Sequence, residues 1–278
     1  MRDDFVQRAI AITAAALCLV GAACAWGQAP YPSKPVRLIV PWPPGGGADV
    51  LSRMLSPRLA DALGQQIVID NRGGAAGNIG AEMAAKSPPD GYTIVFAYSG
   101  THSINASIYS KMPFKESDFT PIIWLASVPQ VVAVHPSLPV KNIRDLIALD
   151  KSKPGQLAYG SSGSGAINHL TGELFNSMTG TRLVHVPYKG GGPAAVDVMT
   201  GQVPMAFISL PTVMSYVKSG KLRLLAISVS KRSSSVPDVP TMSETLPGFE
   251  VNNWLGVLAP AGISPAMVSK LNADMNQA

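Results

Sequence analysis

The hydrophobic pattern of the chain changes period within its first structured stretch. Val36, Leu38, Ile39 and Val40 form a short apolar, β-branched run, as in a strand buried on both faces. Pro41-Trp42-Pro43-Pro44 and Gly45-Gly46-Gly47 then stop the strand. Beyond Asp49 the apolar positions fall at Val50, Leu51, Met54, Leu55 and Leu59, which is helical spacing, and Gly64 supplies the stop. The order is strand, glycine loop, helix. Three successive glycines let backbone N–H groups turn toward one point, and a helix dipole begins there, so the loop suits an anion. The same sequence equally serves a βα connection that binds nothing.

The unit repeats. Residues 67–69 read as a strand, 71–78 as a loop and 79–86 as a helix; 93–97 are the next strand, followed by the polar loop Tyr98-Ser99-Gly100-Thr101. This alternation predicts a mostly parallel sheet covered by helices, with ligands beyond the carboxyl ends of the strands. Near Pro129 the composition shifts. Residues 131–134 are apolar, 136–140 form a proline-marked corner, and Asn142 caps a helix through Ile143, Leu146 and Ile147. The rhythm restarts with a strand at 157–159, the loop Gly160-Ser161-Ser162-Gly163-Ser164-Gly165, and a helix with Ile167, Leu170, Leu174, Phe175 and Met178 on one face. Residues 183–186 lead into Pro187-Tyr188-Lys189-Gly190-Gly191-Gly192-Pro193, a third such loop, with Pro193 at a first helical position. Strands at 203–207 and 222–227 flank a helix of Val213, Met214 and Val217; 228–240 read as a polar, proline-rich linker. Thr241-Met242-Ser243-Glu244 fits a capping box, 251–257 a last strand, and Ser264-Pro265 opens a final helix with no stop signal before Ala278.

The start of the chain has a different character. Arg2 and Arg8 precede a nearly continuous run of Ala, Ile, Leu and Val, and Ala23-Cys24-Ala25 is a small-x-small cleavage site, so residues 1–25 read as a secretory signal peptide. Both cysteines, Cys18 and Cys24, lie in it, which leaves the exported protein without thiol, disulfide or Cys-ligated metal. The formal net charge is +5, without Lys/Arg runs or interleaved aromatics; that argues against nucleic acid and suits a small anionic solute.

Catalytic patterns fail. No serine has glycine both two before and two after it, so there is no nucleophile elbow. His102, His135, His169 and His185 show no i, i+4 pair, and GxxxxGK is absent. His169 is the histidine placed to serve the serine loop; a hydrolase working through Ser162 and His169 is the enzymatic alternative. What does assemble is a clamp: two domains, each with loops at helix starts, closing on an anion. The boundaries are 30–130 plus 248–278 for the first domain, 131–240 for the second, and 228–247 for the hinge region.

Several blocks carry a family resemblance. Tyr31-Pro32-Ser33-Lys34-Pro35-Val36-Arg37 with Val40-Pro41-Trp42-Pro43-Pro44-Gly45-Gly46 resembles the opening of the Bug (TctC-type) family, the exported solute receptors of tripartite tricarboxylate transporters. Asp70-Asn71-Arg72, Gly77-Asn78-Ile79-Gly80-Ala81-Glu82, Tyr159-Gly160-Ser161-Ser162-Gly163, His185-Val186-Pro187-Tyr188-Lys189-Gly190, Pro237-Asp238-Val239-Pro240-Thr241 and Ala259-Pro260-Ala261-Gly262 continue the likeness in order.

The resemblance implies an α/β, type II periplasmic-binding-protein fold: two α/β domains joined by two crossing strands, with a small carboxylate in the cleft. It implies a periplasmic monomer without cofactor or metal, not an enzyme, that hands a di- or tricarboxylate, or an aromatic or amino-acid-like acid, to the membrane subunits of a transporter; a receptor feeding a sensor would look the same. Carried over by position, Trp42, Pro44, Gly45, Gly46, Gly47 and Asp49 would hold the ligand from one domain, with Tyr98 and Ser99 beside them. Ser161, Ser162, Gly163, Ser164, Gly165 and His169, with Tyr188 and Lys189, would face it from the other. Trp42 stands where the family often has phenylalanine, and Ile208-Ser209 where many members have Asp-Asn. Members continue for some tens of residues beyond the helix containing Leu271, so the end at Ala278 reads as a truncation that lowers stability.

Overall fold

The computed structural model describes residues 31–278, and the expected signal peptide lies outside them. The fold below is that of Lys34–Ala278. Strand β1 (Val36–Val40) is central to a first group of strands, parallel to β2 (Ile67–Asn71) on one side and β3 (Thr93–Tyr98) on the other. Helices α1 (Gly47–Leu63) and α2 (Asn78–Ala85) connect them. The unbroken apolar runs of β1 and β3 follow from this position: all six residues of β3 are buried, and Ile39 and Val95 join Ala81, Phe114 and Phe119 in one core.

The predicted mostly parallel sheet is in fact mixed. Strand β4 (Phe119–Val134) runs 16 residues and serves both halves of the molecule. Its first part pairs antiparallel with β9 (Asn252–Pro260), which in turn lies antiparallel to β3. Its second part pairs antiparallel with β7 (Met205–Ser209) and β8 (Arg223–Ile227). Beyond β7 the sheet becomes parallel again, through β5 (Ala158–Ser161) to β6 (Val184–Pro187). The strands thus fall into two lobes that share β4, each with its own βα units and core.

The return crossing lies beside β4. Ser228 is buried and donates its backbone N–H to Gln130 O at 2.8 Å, while its hydroxyl donates to Val251 O at 2.7 Å and accepts from Gln130 N at 3.0 Å. One serine thus ties the end of β8 and the approach to β9 to the middle of β4. The capping box at 241–244 forms as expected, with Thr241 N donating to Glu244 Oε1 at 3.0 Å, and Met242 and Phe249 are buried in the second core with Tyr159, Phe175 and Phe207.

Two local expectations are corrected. The polar loop after β3 is a helical turn, Gly100–Ile104, running into the short α3 (Asn105–Ile108). Asn105, fully buried, reaches back to Asn78 Oδ1 at 2.7 Å and Ala76 O at 3.1 Å, which holds that turn against the loop preceding α2. After α4 (Ile143–Ser152), helix α5 (Ile167–Thr179) buries Asn168, Thr171, Gly172, Phe175 and Thr179, while Met178 is exposed. A polar face is turned inward there because Asn168 Nδ2 donates to Gln130 Oε1 at 2.6 Å, and because Gly172 lies where a Cβ would come within 2.5 Å of the Tyr159 ring. The remaining helices are α6 (Gly191–Met199), α7 (Leu210–Lys218) and α8 (Pro265–Gln277).

Candidate functional site

In the first lobe the chain leaves β1 through three prolines and Trp42 and enters α1 after Gly46. Gly45 takes φ +81°, a left-handed conformation that a β-carbon would strain. Asp49 is buried in the first turn of α1, and its carboxylate turns back on the loop: Oδ2 accepts from Gly45 N at 3.0 Å, and Arg53 pairs with Oδ1 at 2.9 Å. Burial opposes ionisation of Asp49, but the hydrogen bonds from Arg53, Gly45 and Asn71 outweigh it and hold the carboxyl below its usual range. Asn71, at the end of β2, donates to Trp42 O at 2.9 Å and fixes the strand end from the other side.

In the second lobe the serine loop rests on a polar brace. Ser161 is fully buried; its Oγ lies 2.6 Å from His185 Nε2 and accepts from Gly163 N at 3.1 Å. His169 Nδ1 accepts from Gly165 N at 3.2 Å, and its ring stacks on His185 at 4.0 Å. Tyr159 OH donates to Glu173 Oε1 at 2.7 Å, next to that pair. Burial, together with the neighbouring His169, lowers the His185 pKa to about 4, so His185 is neutral at physiological pH. The third loop is tied to the second: Tyr188 N and Gly190 N donate to Ser161 O and Ser162 O, both at 3.1 Å, and Tyr188 OH donates to Asp197 Oδ2 at 2.7 Å.

Between the lobes these loops enclose two chambers. The outer one, about 500 Å³, is lined by Trp42, Pro44, Ser162, Gly163, Ser164, Tyr188 and Lys189 among the expected residues, and also by Asn71, residues 73–76 and Tyr109. The inner one, about 30 Å³, has room for about two waters and is lined by Gly46, Gly47 and Tyr98 with Trp42 and Ser162. The other expected residues stand behind these walls. Asp49, Ser161 and His169 hold loop amides, Gly165 faces Tyr109, and Ser99 Oγ donates to Asn253 Oδ1 at 2.8 Å. Gly45 borders a separate groove with Gly192 and Pro193.

Sequence reading missed the floor of the inner chamber: Gln130, Asn168, Ser209 and Asn253. Gln130 sits in β4, where nothing in the local pattern marks it, and Asn168 stands among other polar residues, His169 and Thr171, at its helix start, where nothing local singles it out.

The electrostatics of the inner chamber come from backbone. Gly47 and Ala48 begin α1, Ile167 and Asn168 begin α5, Gly191 begins α6, and Ser209 caps α7; all line this space. The first-turn amides of a helix have no intrahelical acceptor and carry the positive end of its dipole. No charged side chain lines the chamber. The arrangement therefore offers N–H and hydroxyl donors to an anion. It offers no nucleophile–base pair: Ser162 lines the cavity, whereas the serine bonded to a histidine is the buried Ser161. Among the described residues no cluster of His, Cys, Asp and Glu could hold a metal ion.

Known proteins place this architecture. Residues 51–278 match the family described as tripartite tricarboxylate transporter family receptor, TctC. The protein BugT of Bordetella pertussis is 38% identical over 276 residues, covering 98% of this chain and 85% of that protein. A Rhodopseudomonas palustris protein solved with adipate is 39% identical with a TM-score of 0.85, covering 88% of this chain and 83% of that one. MatC from the same organism, solved with bound malate, is 31% identical with a TM-score of 0.83, covering 89% and 85%. These relatives are solute-binding receptors rather than enzymes. The chain belongs to the TctC (Bug) family of receptors, with its two-lobed periplasmic-binding-protein fold.

Proposed function

We propose that this receptor captures a small carboxylate between its lobes in the periplasm and delivers it, as a monomer, to the membrane subunits of a tripartite tricarboxylate transporter. The supporting observation is the inner chamber, where four helix starts converge without a charged side chain. A carboxylate there meets donors from both lobes, so its binding stabilises the closed form. The rest of the solute occupies the outer chamber. A volume of about 500 Å³ accommodates a linear dicarboxylate such as the adipate of the R. palustris relative, with Lys189 on the wall to meet a second acid group. Residues 1–25 serve as the export signal. Residues 30–130 with 248–278, and residues 131–240, move as two bodies about the segment 228–247 and the middle of β4.

Melting the protein against a panel of mono-, di- and tricarboxylates that includes adipate and malate tests this reading. A ligand at 100 times its dissociation constant adds about 2.7 kcal/mol, a rise of several degrees for a chain of this size. An acid that raises the melting temperature while its uncharged amide does not is the expected result. No shift with any acid overturns the assignment.

A further inference from the structure

Trp42 and Ser162, one from each lobe, line both chambers and so mark the neck between them. Most polar groups of the inner chamber can donate hydrogen bonds: helix-start amides, and the hydroxyls of Ser162 and Ser209. Asn168 differs. Its side chain is 4% exposed, and its Nδ2 donates to Gln130 Oε1 at 2.6 Å. The direction of that bond is fixed from behind. Gln130 Nε2 faces Val128 O at 3.5 Å, and the reversed carboxamide would set two carbonyl oxygens against each other. Asn168 is therefore left with Oδ1, an acceptor, open to the chamber, and among the described residues nothing donates to it. Asn253, also buried, lines the same space and spends its Oδ1 on Ser99, which leaves its Nδ2 as a further free donor.

A buried acceptor without a donor loses its hydration and gains nothing in return. A carboxylate cannot satisfy it, because an ionised acid only accepts. An ammonium could, but no charged side chain lines the chamber to offset the positive helix starts around it. A neutral hydroxyl meets both conditions. The volume agrees: about 30 Å³ holds two water-sized oxygens, one from the acid and one from the hydroxyl.

We propose that the solute is a 2-hydroxy carboxylate, whose hydroxyl donates to Asn168 Oδ1 while the adjacent acid group takes the helix-start amides. The hydroxyl belongs on the carbon next to the acid because both oxygens share so small a space. The proposal rests on the carboxylate reading above and narrows it to one class of acid.

The test compares acids of equal chain length by calorimetric titration of the parent protein: succinate with each enantiomer of malate, and adipate with 2-hydroxyadipate and 2-oxoadipate. The oxo acid carries an acceptor where the hydroxy acid carries a donor, at nearly the same size. The same acids are then titrated into Asn168→Leu, which removes the acceptor at similar volume. In the parent, the hydroxy acid of the better-fitting length should bind about tenfold tighter than the plain acid or more, and the oxo acid no tighter than the plain one. In the variant that preference should shrink to within about twofold. Equal binding of plain and hydroxy acids by the parent overturns the proposal, and so does an oxo acid that matches the hydroxy acid. These comparisons need only the parent, so they decide the matter even if the variant fails to fold. A preference that survives in folded Asn168→Leu also overturns the assignment. If neither plain nor substituted acids bind the parent, the carboxylate reading itself fails, and this proposal fails with it.

Discussion

Gly47 and Ser209 approach from opposite lobes so closely that a Cβ on Gly47 would stand 2.3 Å from Ser209 Oγ. The same holds along the seam: a Cβ on Gly190 would meet Pro43 Cγ at 2.4 Å, and one on Gly192 would meet the backbone of Pro44 and Gly45 at 3.1 Å. The two glycine runs, 45–47 and 190–192, therefore permit backbone-to-backbone approach of the lobes as well as presenting amides. Ser209 cannot yield freely, since its hydroxyl shares a hydrogen bond with Thr212 at 2.9 Å.

Gly47→Ala should accordingly weaken closure. Overpacking of this kind costs about 1–3 kcal/mol, and here it falls on the closed form, so affinity for the solute drops about five- to a hundredfold while the free protein melts near the parent. The double variant Gly47→Ala, Ser209→Gly removes the opposing side chain and should recover most of the affinity. Calorimetric titration of the three proteins checks this; no recovery would show that the alanine acts within its own loop.

The serine loop separates side-chain from backbone recognition. Ser162→Ala removes one hydroxyl donor at the neck, worth about 1.5–3 kcal/mol toward a charged group. Gly163 takes φ +126° and would place a Cβ 3.0 Å from Tyr188 O, so Gly163→Val both strains the loop and blocks the outer chamber. Binding should weaken measurably in the first and vanish in the second, with circular dichroism showing both folded. Parent-like affinity of Gly163→Val would remove this loop from the site.

Histidine burial sets an acid limit on stability. Desolvation lowers His102 and His185 to about 4, with the stacked His169 adding to the effect at His185, whereas an unfolded histidine titrates near 6.5. Between these values the unfolded chain binds more protons, so stability is full above about pH 6.5 and falls as pH drops toward 4. Asp49, Asp70 and Glu244 are held below their usual range, so their losses begin as pH falls toward about 4, at the acid end of this window, and grow below it. Melting temperature should fall from pH 6.5 to 4, less steeply in His185→Gln, although that variant starts lower because Ser161 loses its partner. Equal slopes for the two proteins would contradict this assignment.

Local signals in the sequence reached some parts of this structure and not others. The run from Val36 to Val40 and the glycines after it announced a buried strand and a loop at a helix start, and the fold has both. The role of those glycines at the seam was hidden, because their partners, Gly191, Gly192 and Ser209, lie about 145 to 162 residues further along the chain. The first part of β4 was missed because Pro121 and Pro129 interrupt its pattern and Trp124 is exposed; its partner β9 supplies the pairing, with shifts of register at Pro121 and Trp124. In α5 the apolar stripe was right at Phe175, buried in the second core with Leu174 packed against it, and wrong at Met178, which is exposed. The hydrogen bond between Asn168 and Gln130 turns a polar face inward, and no local periodicity encodes a bond across 38 residues. Ser161 and Ser162 could not be told apart by sequence either: the pleat of β5 sends one hydroxyl to His185 and leaves the other at the cavity.

The central claim is that backbone amides at converging helix starts hold an anionic oxygen between the lobes, and calorimetric titration with an acid and its matching carboxamide tests it most directly. The two ligands share shape and differ in charge at one end, so lobe closure and the filling of the outer chamber contribute alike to both. The account predicts saturable binding of the acid and at least tenfold weaker binding of the amide, a gap of about 1.4 kcal/mol or more. Equal affinity for the two would contradict it.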